Sequence, residues 1–117
     1  MEAITRELRL YNTLNGERPF SSWLRSLDAP LRVIVRQRLV RASLGNFGDT
    51  KPEGEGVQTL RIHEGPGYRL YYGIDGKEIV LLLCGGDKSS QSKDIRNAKK
   101  YWKDYKERKA SSTLGEL

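Results

Sequence analysis

The side chains best suited to chemistry lie in two neighbouring runs, VQTLRIH at 57–63 and GPGYRLYYGI at 65–74. Successive side chains of a β-strand point to opposite faces of the sheet. If the apolar residues of both runs pack on helices, the opposite face carries Arg61, His63, Arg69 and Tyr71. The alternation therefore predicts two guanidinium groups, an imidazole and a phenol on one concave surface.

Such a set of side chains suits binding or cleavage of an RNA backbone. Arginine pairs with phosphate through two hydrogen bonds and stabilises the charge that develops on phosphorus when a 2′-hydroxyl attacks it. Proton transfer in that reaction needs a base and an acid. His63 is the natural candidate because imidazole titrates near neutral pH, and Tyr71 or a lysine is a substitute. Tyr71 or Tyr72 can also stack on an unpaired base.

The stretch LLLCGGDKSSQSKDI, at 81–95, runs from apolar residues through two glycines into a polar segment. It does not match the nucleotide-binding P-loop, because a leucine occupies the first glycine position of that motif and an aspartate precedes the lysine. It predicts instead a turn from a strand into a helix, which Ser89 or Ser90 caps. The turn would bring Lys88 and the start of the helix to the rim of the cationic face, where they would meet phosphate.

The elements that must position these residues follow from periodicity and turn signals. The pattern predicts a strand, a helix that begins at proline, a second helix, three strands and a basic amphipathic helix, at 4–11, 19–27, 31–44, 57–63, 65–74, 77–85 and 92–109. Asp28-Ala-Pro30 separates the first two helices, which we expect to form a helical hairpin. Residues 45–56 carry four glycines and a proline and are predicted to be a loop.

The predicted order β-α-α-β-β-β-α is that of a small α+β protein. Its helices would be segregated onto a twisted, mostly antiparallel sheet. The Asp75-Gly76 pair between two strand-like runs predicts a β-hairpin. Residues 1–109 are expected to form one domain, with a flexible tail at 110–117, and Trp102 is expected to anchor the last helix.

Composition bounds the function further. The chain of 117 residues has 21 Lys and Arg against 15 Asp and Glu, and residues 88–109 alone carry nine against three. Clustered positive charge favours a polyanion or an acidic protein as partner. One cysteine, Cys84, and one histidine exclude an internal disulfide, CxxC metal sites and zinc sites with paired histidines. Without a long apolar run or a secretory leader, we expect a cytoplasmic protein.

The stretch TLRIHEGPGYRLYYGIDGKEIVLLLCGGDKSSQSKDIRNAKKYW, at 59–102, resembles the addiction-module killer proteins, a HigB-like branch of the RelE/ParE toxin superfamily. Its most specific parts are GPGYR and LLLCGGDKSSQSKDI, in this order and spacing. The resemblance implies a RelE-like fold and a type II toxin that cuts mRNA in the ribosomal A site. It also implies a cognate antitoxin, of the helix-turn-helix type, and a reaction that uses no metal or other cofactor.

In those relatives the catalytic residues are basic side chains on the hairpin strands and one basic residue after the last long strand. The resemblance assigns this role here to Arg61, His63, Arg69 and Lys88. Residues expected to contact RNA are Lys51, Tyr71, Tyr72, Gln91 and Lys93.

One feature of the ribonuclease relatives is missing from the predicted site. Several of them carry a tyrosine or histidine near the C-terminus as base or acid, whereas the next aromatic residue after Lys88 is Tyr101, within the last helix. The identity of the base and the acid therefore stays open. Two alternatives also stay open: a ParE-like inhibitor of DNA gyrase with the same fold, and a basic domain without catalysis that only pairs with an antitoxin.

Overall fold

The computed structural model describes residues 5–115, and it describes side chains as far as residue 112. Its elements are β1 Glu7–Leu10, α1 Pro19–Ser26, α2 Ala29–Ser43, β2 Thr50–Gly54, β3 Val57–Ile62, β4 Tyr68–Asp75, β5 Ile79–Asp87 and α3 Gln91–Gly115. A short 3₁₀ turn, Lys88–Ser90, joins β5 to α3.

The five strands form one mixed sheet in the order β1-β5-β4-β3-β2. β1 is parallel to β5, and the other three neighbouring pairs are antiparallel. The predicted α+β class with a mostly antiparallel sheet is confirmed, as is the hairpin at Asp75-Gly76, since β4 and β5 pair from Asp75 and Ile79 onwards.

Strand β2 is the element that the sequence pattern missed. The prediction of a loop over the whole of 45–56 is wrong, because Thr50–Gly54 pair with β3. Proline is tolerated here because β2 lies at the edge of the sheet. Glu55 and Gly56 have φ angles of 57° and 88°, and two consecutive positive φ values are what a two-residue hairpin turn needs.

The two helices that the sequence predicts before the loop at 45–56 are present as α1 and α2. Pro19 opens α1, where its fixed φ and missing N–H cost nothing. The carboxylate of Asp28 caps α2 by accepting a hydrogen bond from the backbone N–H of Leu31 at 3.0 Å. Both helices lie on one face of the sheet, where Phe20 and Val35 contribute to a buried core.

The start and the end of α3 differ from the prediction. The carboxylate of Asp87, and not a serine hydroxyl, caps the 3₁₀ turn by accepting from the backbone N–H of Ser89 at 2.8 Å. A carboxylate suits this place because it faces the unpaired N–H groups at the start of a helix. The helix runs through residues 110–115, beyond the point where its periodic pattern ends, and residues 116–117 of the predicted tail lie outside the described part.

Both faces of the sheet are covered. One core lies under α1 and α2 and includes Leu60, Ile62 and Leu70. The other lies under α3 and includes Tyr71 and the predicted anchor Trp102, which is buried as expected. Helix α3 therefore covers part of the face that alternation assigned to the cationic residues, and only the strand ends beyond it stay open.

Trp102 also accounts for a glycine in the centre of the sheet. A Cβ atom at Gly73 would lie 2.5 Å from the indole ring, so only glycine lets α3 lie this close to β4. Within residues 5–115, no helix is both long enough and apolar enough to cross a membrane.

Candidate active site

A cleft of about 150 Å³ opens at the end of the sheet where β3 stops and β4 begins. Its lining consists of Arg61, Ile62, His63, Pro66, Gly67, Tyr68, Arg69 and Lys88. The structure thus brings together all four residues that were predicted to be catalytic. The cleft is smaller than the sites that enclose drug-sized ligands, and its size suits one phosphodiester group of a chain that lies across it.

Strand register places the two arginines of the cleft side by side. Arg61 is directly opposite Arg69 in the β3–β4 ladder, and Arg69 is in turn opposite Gly86 of β5. Like charges in directly opposed positions destabilise a sheet. Asp49 already offsets the charge of Arg61 through an ion pair of 2.8 Å. The charge of Arg69 has no such partner among the described residues, so phosphate or another anion would be favoured beside it.

Lys88 reaches the cleft because β5 ends in a tight turn. It is the first residue of the 3₁₀ turn and is exposed. A Cβ atom at Gly86 would lie 1.9 Å from a carboxylate oxygen of Asp94, so a larger residue here would displace the Asp94 side chain at the start of α3. Among the described residues, the side chains of Arg69 and Lys88 form no ion pair.

Asp49 is a residue of the site that sequence reasoning missed. Its Oδ1 accepts hydrogen bonds from Nη2 of Arg61 at 2.8 Å and from Nε of Arg61 at 3.2 Å. Its Oδ2 lies 2.6 Å from Nε2 of His63. These contacts with His63 and Arg61 hold the pKa of the Asp49 carboxyl below its ordinary value. Asp49 is therefore ionised at neutral pH and contacts two cleft residues at once.

The signal that would have located Asp49 is the pairing of β2 with β3. Thr50 is opposite Leu60, so the preceding residue lies beside Arg61, whose backbone N–H donates to the Asp49 carbonyl at 2.9 Å. Glycines and Pro52 are not typical of strands, so the sequence pattern did not predict β2. Without β2, nothing in the sequence linked Asp49 to the hairpin of β3 and β4.

The imidazole of His63 stands at the junction of two cavities. It lines the cleft and also a larger groove of about 670 Å³ between α2 and the end of β3. Its side chain is 73% exposed, so one edge of the ring meets Asp49 while the remainder is open to a ligand.

The prediction that Tyr71 or Tyr72 stacks on an RNA base is wrong, because both side chains are buried and no base can reach them. Tyr71 is fully buried under α3, and burial raises the pKa of its phenol well above its ordinary value. Tyr72 faces the other core, stacks on Phe47, and shares a hydrogen bond with Thr50 Oγ1 at 2.6 Å. The burial of Tyr71 also excludes it as a proton-transfer group. Alternation located its face correctly but could not show that a helix covers it.

The other three residues predicted to contact RNA lie outside the cleft. Lys51 is exposed on β2, while Gln91 and Lys93 lie in the first turn of α3, half-buried and exposed respectively. Their contact with RNA stays a prediction.

Cys84 is a buried core residue. Its thiol donates a weak hydrogen bond to the carbonyl of Asp94 at 3.7 Å, and burial raises its pKa to about 12. A thiol that stays protonated is a poor nucleophile. Over residues 5–115, no group of three or more His, Cys, Asp and Glu side chains is arranged to hold a metal ion.

The fold and the cleft define an α+β protein with a cationic site at one end of a mixed sheet. No protein-family model matches the chain. Over 81 residues it is 47% identical to a protein of Haemophilus influenzae (strain ATCC 51907 / DSM 11121 / KW20 / Rd) that is described as uncharacterized. The match covers 68% of this chain and 82% of that protein. The chain therefore belongs to the same family as this Haemophilus protein.

Proposed function

We propose that this protein is the toxin of a type II toxin–antitoxin module, a HigB-like member of the RelE/ParE superfamily that cleaves mRNA on the ribosome in the cytoplasm. The observation that carries the proposal is the cleft in which Arg61, His63, Arg69 and Lys88 meet. Three of these side chains are cations, and the fourth is an imidazole, the side chain that most often acts as a general base or acid.

The proposed reaction uses the 2′-hydroxyl of the RNA as nucleophile. A base removes the hydroxyl proton, O2′ attacks the adjacent phosphorus, and the bond from phosphorus to the 5′-oxygen breaks. The leaving 5′-oxygen receives a proton, so the products are a 2′,3′-cyclic phosphate and a 5′-hydroxyl. Arg69 and Lys88, which have no ion-pair partner in the described part of the chain, stabilise the charge on the phosphoryl oxygens. His63 is the proposed base.

The proposed partner of the free toxin is a protein antitoxin, of the helix-turn-helix type that the sequence resemblance implies. Support comes from α2 and the residue that follows it, where Val33, Val40 and Leu44 are 50–59% exposed. Arg38 and Arg41 line the adjoining groove that ends at His63. An acidic amphipathic helix complements both the apolar side chains and the arginines. Such a helix would cover His63 and close the cleft.

The test is primer extension on mRNA from cells in which the protein is induced. We expect cuts in phase with codons for the wild-type protein and for Arg25→Ala, a control at an exposed arginine on α1. The cuts should disappear with Arg69→Ala. Intact mRNA together with an induced DNA-damage response would contradict the proposal and favour a gyrase-directed toxin. Intact mRNA and normal growth would favour a basic domain without catalysis.

A further inference from the structure

Asp49 links the loop before β2 to the C-terminal end of the cleft-lining strand β3, through Arg61 and His63. We propose that Asp49 is a positioning residue that fixes His63 with its Nε2–H toward the carboxylate, so that Nδ1 is the atom that takes the proton in the cleft. The hydrogen-bonded pair stands on geometry alone, and its role in catalysis rests on the proposed ribonuclease function.

The argument for the tautomer begins with the contact itself. Nε2 of His63 lies 2.6 Å from Oδ2 of Asp49, which is a hydrogen-bond distance. An ionised carboxylate has no proton to donate, and the contacts with His63 and Arg61 hold the pKa of Asp49 below its ordinary value. The proton in this contact therefore resides on Nε2. A neutral imidazole has only one N–H, so Nδ1 keeps its lone pair.

The Asp49 carboxylate is held in place from several sides. Its own carbonyl accepts from the Arg61 backbone, and Arg61 fixes its Oδ1 through two donors. The preceding Gly48 has a φ of 63°, a left-handed conformation that favours glycine. The Gly48 N–H donates to Asn46 Oδ1 at 3.1 Å. Because the loop is fixed in this way, Asp49 can fix His63 in turn.

The charges around His63 give Asp49 a second effect. The groups that share its two cavities are Arg38 and Arg41 of α2, Arg61 of β3, Glu64, Arg69 of β4 and Lys88 of the 3₁₀ turn. Most of these are cations, which oppose a positive charge on the imidazole. Asp49 is in direct contact with the ring and offsets them, so an imidazolium that forms when Nδ1 takes a proton is stabilised.

The first experiment needs no enzymatic activity. His63 is the only histidine of the chain, so its imidazole nitrogens give unambiguous signals in ¹⁵N NMR of the uniformly labelled full-length protein. We expect a hydrogen-bonded Nε2–H proton resonance and an unprotonated Nδ1 in the wild type above neutral pH. The proton resonance should be lost by fast exchange in Asp49→Ala and retained in Glu107→Ala, a control at an exposed carboxylate on α3. An Nδ1–H tautomer in the wild type would overturn the proposal.

The second experiment measures single-turnover cleavage of ribosome-bound mRNA. We expect Asp49→Ala to lower the rate constant about 10- to 100-fold, in the range for residues that orient another ligand or base. The loss for His63→Ala should be about 100- to 10,000-fold, as for a general base. The loss in activation free energy for the double variant should be smaller than the sum of the two single losses, because Asp49 acts largely through His63. Asp49→Asn, of the same size, guards against misfolding and is checked by circular dichroism.

The outcomes separate this inference from the proposed function. A wild-type protein that shows the Nε2–H resonance but cuts no mRNA would end the ribonuclease proposal and leave the hydrogen-bonded pair intact. A wild-type protein that cuts mRNA, with fully additive losses for Asp49 and His63, would overturn the positioning role alone.

Discussion

The two ends of strand β4 carry charged residues in opposite situations. At its end, Asp75 is 17% exposed and accepts hydrogen bonds from the Tyr105 hydroxyl at 2.6 Å and from Lys109 Nζ at 2.6 and 2.8 Å. At its beginning, Arg69 has no ion-pair partner in the described chain and lines a cleft with three other functional candidates. Charge that the protein itself neutralises holds α3 to the sheet, whereas charge that it leaves unpaired is available to a ligand.

At the Asp75 end of β4, where α3 packs on the sheet, Trp102→Ala is expected to have the largest effect on stability. The ring is buried, stacks on Tyr105 and fills the space above Gly73. Its removal should lower the free energy of unfolding by about 3–5 kcal/mol, as for other buried aromatic residues. The measurement is urea denaturation, with Leu14→Ala as a control at a side chain that is 79% exposed. A loss below 1 kcal/mol would show that α3 is not anchored here.

At the other end of β4, Arg69→Ala should lower the rate of RNA cleavage and leave the stability of the fold nearly unchanged. Loss of one group that stabilises charge in the transition state costs about 100- to 1,000-fold in rate. The free energy of unfolding should stay within about 0.5 kcal/mol of the wild type. The check combines single-turnover cleavage with urea denaturation of the same preparation. A large loss of stability would mean that Arg69 belongs with Asp75 among the structural charges.

Asp75→Asn should lower the stability of the fold and leave the rate of RNA cleavage unchanged. The hydrogen bonds from Lys109 and Tyr105 hold the pKa of Asp75 below its ordinary value. We expect the neutral amide to cost about 1–2 kcal/mol of unfolding free energy, as for hydrogen bonds to a charged group that is partly exposed. The cleavage rate per folded molecule should not change, which single-turnover assays at equal folded concentration would test.

The same pKa shift predicts how stability depends on pH. The folded pKa of Asp75 is below the unfolded value of about 3.9. Its contribution is therefore complete above that unfolded value and is lost as the pH falls through the folded pKa. Between about pH 5 and pH 3 the wild type should lose more stability than Asp75→Asn, in urea denaturation at each pH. If the stability of the wild type and that of Asp75→Asn fell equally with pH, the lowered pKa of Asp75 would be contradicted.

The smallest effect concerns the pair of opposed arginines. Arg69 lies directly opposite Arg61, and Asp49 offsets only part of the repulsion through its ion pair with Arg61. Arg69→Gln should therefore stabilise the protein by at most a few tenths of a kcal/mol at low ionic strength. Added salt screens such exposed charges, so the gain should shrink toward zero at about 1 M salt. Thermal unfolding of both proteins at two salt concentrations measures the difference.

The sequence was sufficient for the cationic cluster and insufficient for its surroundings. Strand alternation put Arg61, His63 and Arg69 on one face because those residues lie on strands whose period is strict. The same rule put Tyr71 there too, but tertiary packing of α3 decides which part of that face is open. Local patterns carry no information on that coverage.

The sequence pattern failed to predict both strand β2 and the role of Asp49, and for the same reason. An edge strand with a proline and flanking glycines has almost no strand propensity of its own, and it forms because β3 offers it an unpaired edge. Asp49 enters the site only through that pairing. The serine cap was wrong for a simpler reason, since Asp87 stood at the position where its carboxylate reaches the free N–H groups first.

Edge strand β2 has a consequence for the behaviour of the protein in a crowded solution. An unpaired strand edge is a template onto which other chains can add, and such addition begins aggregation. Pro52 lacks one of the N–H donors that addition would use, Lys51 brings a charge, and the register shift between Pro52 and Gly54 interrupts the edge. Pro52, which made this strand hard to recognise in the sequence, therefore also helps to keep other chains from adding at this edge of the sheet.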